Sequence, residues 1–251
     1  MKTKIAVLLI VIPLVSVFAQ TENVQPQPQP TEIQTPAQTE RPQTAAEETR
    51  AVARSRREAP REDALVLFRQ GNYTRAAEVC LEELQSSTRT RTQRLDSYVV
   101  LCWSLLQADR FRDVIRYGEE GLRLNVNDAR LIFTMCEAYF ALKEYQNALE
   151  FAQRYVRVAP TGDKLPQVYN YMGQIFLQWK EYYHAVTAFS TSVSINPNAG
   201  AVWASLGTAK ENLKDVKGAR EAYRRALNLQ SYNQTAQEGM ARLDRAAGVD
   251  R

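Results

Sequence analysis

Histidine occurs once in this chain, at His184, and cysteine three times, at Cys80, Cys102 and Cys136. No cysteine lies near the histidine in sequence, so there is no run of metal ligands, and a lone helical histidine reads as a surface residue. Glycine and proline number ten each, and seven of the prolines fall at or before residue 60. The rest of the chain has few breakers, which favours helices. An excess of one charge is missing too. The formal net charge is +4, but Lys2 and Lys4 sit in an N-terminal segment expected to be removed; without them 30 cationic side chains face 28 anionic ones, a net of +2. That leaves no electrostatic footprint for nucleic acid. No P-loop, dinucleotide-binding glycine motif, metal-ligand run or nucleophile elbow is present. No cofactor, metal or catalytic residue can therefore be nominated, and the chain reads as a non-enzyme.

The long apolar run is at the start, MKTKIAVLLIVIPLVSVFAQTE, where a short basic stretch precedes apolar residues 5–19 and small residues Val17 and Ala19 occupy the positions of a cleavage site. It reads as a secretory signal peptide over 1–19, cut after Ala19. The rival reading is an uncleaved anchor, but the run is shorter than the roughly 20 apolar residues that span a bilayer, and Pro13 interrupts it. With the leader cut, no direct membrane insertion is expected and the chain should be periplasmic or envelope-associated. Residues 20–56 are rich in Gln, Pro, Thr and Glu. Such a composition buries too little surface to offset chain entropy and reads as an extended tether. Arg54, Arg56 and Arg57 form a small basic knot at its end.

Beyond the tether the chain echoes itself. KEYQNALEFAQRYVRVAP (143–160) returns 37 residues later as KEYYHAVTAFSTSVSINP (180–197), and YNYMGQIF (169–176) is followed by VWASLGTAK (202–210) with Gly173 and Gly207 34 residues apart. Five copies fit, at 57–90, 95–128, 129–162, 166–199 and 200–233. Two short insertions, 91–94 and 163–165, break the period. Each copy holds two apolar segments of helical spacing around a polar turn. A small slot filled by Ala64, Cys102, Cys136, Gly173 and Gly207 faces Ala76, Val114, Ala148, Ala185 and Ala219 across the hairpin, and Pro160 and Pro197 stop the second helix. Ala236, Met240, Leu243 and Ala247 lie on one face of a further segment, 234–247, suited to covering the last repeat.

Trp203, Leu206, Gly207, Ala219 and Tyr223 in the fifth copy, and Gly173, Phe176, Ala185, Phe189 and Pro197 in the fourth, resemble the tetratricopeptide repeat (TPR) pattern of W-x2-L-G-x2-Y, A-x3-F and P. Lys210 and Ser231 depart from it. The resemblance implies an all-α, right-handed superhelical solenoid of about five helix pairs plus a C-terminal capping helix, over residues 57–247. It also places His184 and Tyr183 on the solvent side of a second helix. The cysteines occupy small or apolar slots and read as buried free thiols, Cys80 with Cys102 being the one pairing left to test.

The family lines its concave groove with the first helix of each repeat. Carried over, the lining is Val99, Trp103 and Leu106; Arg130, Phe133, Glu137 and Phe140; Asn170, Gln174, Leu177 and Gln178; and Ala204, Thr208, Glu211 and Asn212. Some relatives clamp a peptide's terminal carboxylate with Lys, Asn and Arg, but the matching slots here hold Arg61, Leu65, Val99, Trp103, Arg130 and Thr134. Capture of a free C-terminus is thus disfavoured. The aromatic middle, Trp103, Phe133 and Phe140, should face a cavity and receive an extended or helical segment of a partner protein. The function expected is a non-catalytic interaction scaffold in the cell envelope. The alternative is a structural subunit of an envelope assembly or secretion complex, which would form a stoichiometric complex or a homo-oligomer.

Overall fold

Eleven α-helices run through residues 62–248, the span that the computed structural model describes, and no strand occurs among the described residues. The leader, the tether and residues 57–61 of the first repeat lie outside that span. The helices are α1 (Ala64–Arg69), α2 (Tyr73–Gln85), α3 (Arg91–Gln107), α4 (Phe111–Leu124), α5 (Ala129–Ala141), α6 (Tyr145–Val158), α7 (Leu165–Gln178), α8 (Tyr182–Ile195), α9 (Gly200–Asn212), α10 (Val216–Leu229) and α11 (Gln234–Ala246). They stack as five helix pairs and a cap, each packed on its neighbours in the chain.

Side chains start many of these helices and backbone geometry stops them. Asp63 accepts from Leu65 N and Val66 N, Thr90 and Gln93 form a capping box, and Asp128, Asp215 and Asn233 cap α5, α10 and α11. Within each pair the turn is the same. The first helix ends, one residue takes positive φ, and the second helix begins. That residue is Gly71, Asp109, Lys143, Lys180 or Lys214, with φ between 56° and 81°. Each carries the two bonds of a Schellman motif, as in Lys143 N to Phe140 O at 2.9 Å and Glu144 N to Tyr139 O at 2.9 Å. Only the first of the five uses glycine.

Packing follows the small slots. Ala76, Cys102, Val114, Cys136, Ala148, Ala185 and Ala219 are fully buried, and Ala64 nearly so. Gly173 admits the Phe189 ring and Gly207 the Tyr223 ring; a Cβ on either glycine would lie 2.5–2.6 Å from ring carbons. The cap does what an end repeat requires: Ala236, Leu243 and Met240 cover Ala204, Ala219, Tyr223 and Ala226.

The two insertions act differently. Residues 91–94 become the first turn of α3, making it the longest helix among the described residues, at 17 residues. Residues 163–165 end a longer turn between α6 and α7, where Gly162 N bonds Ala159 O and Leu165 N bonds Gly162 O. The first helices of neighbouring repeats pack more closely at the other junctions than at this one, where α5 and α7 meet chiefly through long side chains. Side chains bridge the gap: Tyr171 stacks with Phe140 at 4.8 Å and approaches Phe133 at 6.5 Å, and its hydroxyl donates to Glu137 Oε1 at 2.9 Å.

Candidate binding groove

Helical spacing builds the site from two helices. On α3, Asp96, Val99, Trp103 and Leu106 recur at one-turn intervals; on α5, Arg130, the adjacent Phe133 and Thr134, and Glu137 follow the same spacing. Two adjoining cavities result, of about 570 Å³ and about 530 Å³, and Trp103 and Arg130 line both. The first adds residues of α1, α2 and the Arg89 turn; the second adds Phe68, Leu106, Phe133, Glu137, Tyr155 and Lys164.

The expected lining divides in three. Trp103 and Leu106 are half-buried, Arg130 is exposed and Glu137 half-buried, all at a cavity wall. Val99 and Phe133 also touch the cavities but are only 1% and 9% exposed, so they form floor rather than a free surface. Phe140, Asn170, Gln174 and Gln178 line neither cavity. Phe140 was expected to face a cavity; instead the rings of Tyr145 and Tyr171 lie 5.9 Å and 4.8 Å from it. Gln174 donates to Asn170 Oδ1 at 3.2 Å, and Gln178 is exposed. In the fifth repeat Ala204 is 2% exposed, Asn212 bonds the Thr208 carbonyl, and Thr208 and Glu211 are both bonded to the Tyr223 hydroxyl. Arg242 of the capping helix further holds Glu211 at 2.9 Å, so this end of the lining belongs to the cap.

Several groove residues were not legible as such. Tyr155 sits on a second helix, Asp163 and Lys164 lie in an insertion, and Phe68 belongs to the short α1. The Lys164 ammonium stands 5.7 Å from the Phe133 ring, whose edge meets Tyr155 at 5.8 Å. Asp96 pairs with Arg130 at 3.0 Å across one 34-residue step, a charge complement that the period itself could have exposed.

The electrostatics are uneven. The Arg130 guanidinium is shared by Asp96 and Asp128, the latter meeting it at 2.8 Å and 3.2 Å while capping α5. Glu137 has its carboxyl pKa raised by burial, against the pull of the Tyr171 hydroxyl and of Lys164. Burial also raises the Tyr171 hydroxyl, with Glu137 adding to it. Burial pushes the Cys80 and Cys136 thiols up to about 12 and raises Cys102 as well. All three are buried free thiols. His184 is exposed, 3.3 Å from Glu181 and 5.2 Å from the Phe176 ring. Among the described residues no three His, Cys, Asp or Glu side chains are grouped to hold a metal. None of the described helices is long and apolar enough to cross a membrane.

Comparison with known proteins is consistent with this architecture. Residues 201–233 match the tetratricopeptide repeat family. Heat shock protein STI1 of Saccharomyces cerevisiae is 28% identical over 108 residues, which cover 43% of this chain and 18% of that protein. The chain spans about a fifth of the length of the curated relatives it matches. Among solved structures, MamA 41-end from Desulfovibrio magneticus RS-1 superposes with a TM-score of 0.57 at 19% identity, over 62% of this chain and 86% of that one. YrrB, described as a TPR protein with an unusual peptide-binding site, gives 0.59 at 12% identity, over 70% and 87%. At such identities the likeness carries the fold: an all-α TPR solenoid.

Proposed function

We propose that this chain is a non-catalytic interaction scaffold that binds a segment of a partner protein along α3 and α5. The carrying observation is Trp103, half-buried and lining two adjoining cavities of about 570 and 530 Å³. Their combined size suits several side chains of an extended or helical segment, and an aromatic anchor typically contributes on the order of 2–4 kcal/mol to such a contact. The peptide-binding site named for YrrB, on the same fold, supports the reading. The leader motif at 1–19 supports export, with action in the periplasm or at the envelope.

The test is affinity capture from an envelope extract with the native chain and with Trp103→Ala. Loss of the same partner from the variant, with the helical content unchanged, is expected; an identical set of partners would remove the groove. N-terminal sequencing of the mature protein should begin at Gln20. A structural subunit of an envelope assembly is the second reading, favoured by Tyr183 and Tyr232 at 78% and 80% exposure with Leu229 and Ile195 also exposed. Light scattering of native extract separates the two, since only the subunit predicts a stable stoichiometric complex.

A further inference from the structure

Six carboxylates and three cations line the two cavities, in a chain whose formal net charge is +4. Most of these groups are spoken for: Glu83 is bonded to Arg89 and Ser97, Glu62 to Arg75, Asp63 caps α1, and Asp163 lies 3.9 Å from Lys164. The two carboxylates that α3 and α5 themselves carry have no cation to themselves. Asp96, whose side chain is 54% exposed, shares Arg130 with Asp128, so one guanidinium serves two negative charges. Glu137 lines the aromatic cavity and its hydrogen-bond partner is the neutral hydroxyl of Tyr171. Lys164 reaches this cavity and attracts Glu137 from a distance, but it stands over the Phe133 ring and 3.9 Å from Asp163. One such carboxylate therefore lines each cavity, with Trp103 lining both, above a floor of Val99 and Phe133.

Resting on the groove reading above, we infer that the occupant is a cationic segment of a partner protein, in which two Lys or Arg residues flank a large apolar residue. The apolar residue packs on Trp103; one cation meets Asp96 and the other Glu137. The spacing follows from α5. Arg130, which holds Asp96, and Glu137 are seven residues apart on that helix, a rise of about 10 Å. An extended segment covers that distance in about three residues. Acidic segments would bring further negative charge to these carboxylates and be rejected.

The test pans a displayed library of random peptides, fused so that their carboxyl termini are blocked, against the 251-residue chain. Selected peptides are then titrated by fluorescence anisotropy against the native chain, Asp96→Asn/Glu137→Gln, and Trp103→Ala, each checked by circular dichroism. The expected selection has Lys or Arg three or four residues apart around an aromatic or large aliphatic residue. Its affinity should fall on the order of tenfold in the double variant, and also fall with added salt. Selection of acidic or charge-indifferent peptides that still need Trp103 would overturn this inference and leave the groove standing. Peptides indifferent to Trp103→Ala, or no selection above background, would overturn both.

Discussion

Replacing Gly207 by alanine tests whether the small slots hold the solenoid together. In an open helix the change should stabilise by about 1 kcal/mol, because glycine is a poor helix former. Here the added Cβ would sit 2.5 Å from both Cδ1 and Cε1 of Tyr223. The ring has nowhere to go. It is fully buried, its hydroxyl donates to Glu211 at 2.6 Å, and Gly239 of the cap closes its other face so tightly that a Cβ there would also collide. Overpacking of this kind costs about 1–3 kcal/mol, and a shifted ring also weakens a charge-assisted hydrogen bond of about 1.5–3 kcal/mol. The net effect of Gly207→Ala should be a loss of about 1–2 kcal/mol after subtracting the helix gain. Urea unfolding of the 251-residue chain followed by circular dichroism reads it, with the combined fluorescence of Trp103, Trp179 and Trp203 as a second probe. Tyr223→Leu empties the contested space, so on that background Gly207→Ala should be neutral or stabilising, a coupling of about 1–3 kcal/mol. A single Gly207→Ala variant as stable as the native chain, or more so, would refute the reasoning.

Lys143→Gly and Lys180→Gly should each stabilise by about 0.5–1 kcal/mol, since relief of roughly 1–2 kcal/mol at positive φ exceeds the entropic cost of glycine; thermal melts check this, and a lowered midpoint would contradict it. Glu137 and Glu211 should respond to pH in opposite directions. Glu137 titrates above its ordinary value in the folded chain, so folding retains its proton and stability falls as pH rises through the range from the ordinary to the raised value. Glu137→Gln should remove that slope. Glu211 is lowered by its bond to Arg242, so its contribution is present above the ordinary glutamate value and is lost as pH falls through the lowered one. Glu211→Gln should remove that acid-side loss; urea midpoints across pH read both. Finally, Cys80, Cys102 and Cys136 should resist alkylation at pH 8 in the native chain and react together on unfolding, because burial disfavours each thiolate. An 80–102 cross-linked peptide in the unreduced protein would contradict free thiols.

The helix pairs were legible because the 34-residue step repeats both halves of a packing contact, but the pattern set Gly173 and Gly207 against Ala185 and Ala219, where the structure seats the rings of Phe189 and Tyr223 on the glycines. The turns were half legible. A polar turn between the two apolar segments was expected, but nothing local says that Lys143, Lys180 and Lys214 accept positive φ, since the requirement comes from the helix that must end there. The groove was visible where its residues follow the period of a first helix, as with Trp103, Leu106 and Arg130. It was missed where an insertion shifts the register. The three extra residues at 163–165 bring Tyr171, one turn before the slot equivalent to Glu137, over both Glu137 and Phe140. They also carry Lys164 to the Phe133 ring, a placement that pattern in a single helix cannot foretell. At the C-terminal end Glu211 looked like groove lining, and only the position of Arg242 on the cap shows its bond.

The groove beside Trp103, as the surface that meets a partner, can be probed directly. Benzoylphenylalanine placed at Gln107, exposed at the wall of the aromatic cavity, and separately at Gln153, exposed on α6, would be photo-cross-linked in the native host. A discrete adduct from position 107, absent from position 153 and abolished by Trp103→Ala, is the predicted result. The same adducts from both positions, or an adduct at 107 that survives Trp103→Ala undiminished, would contradict it.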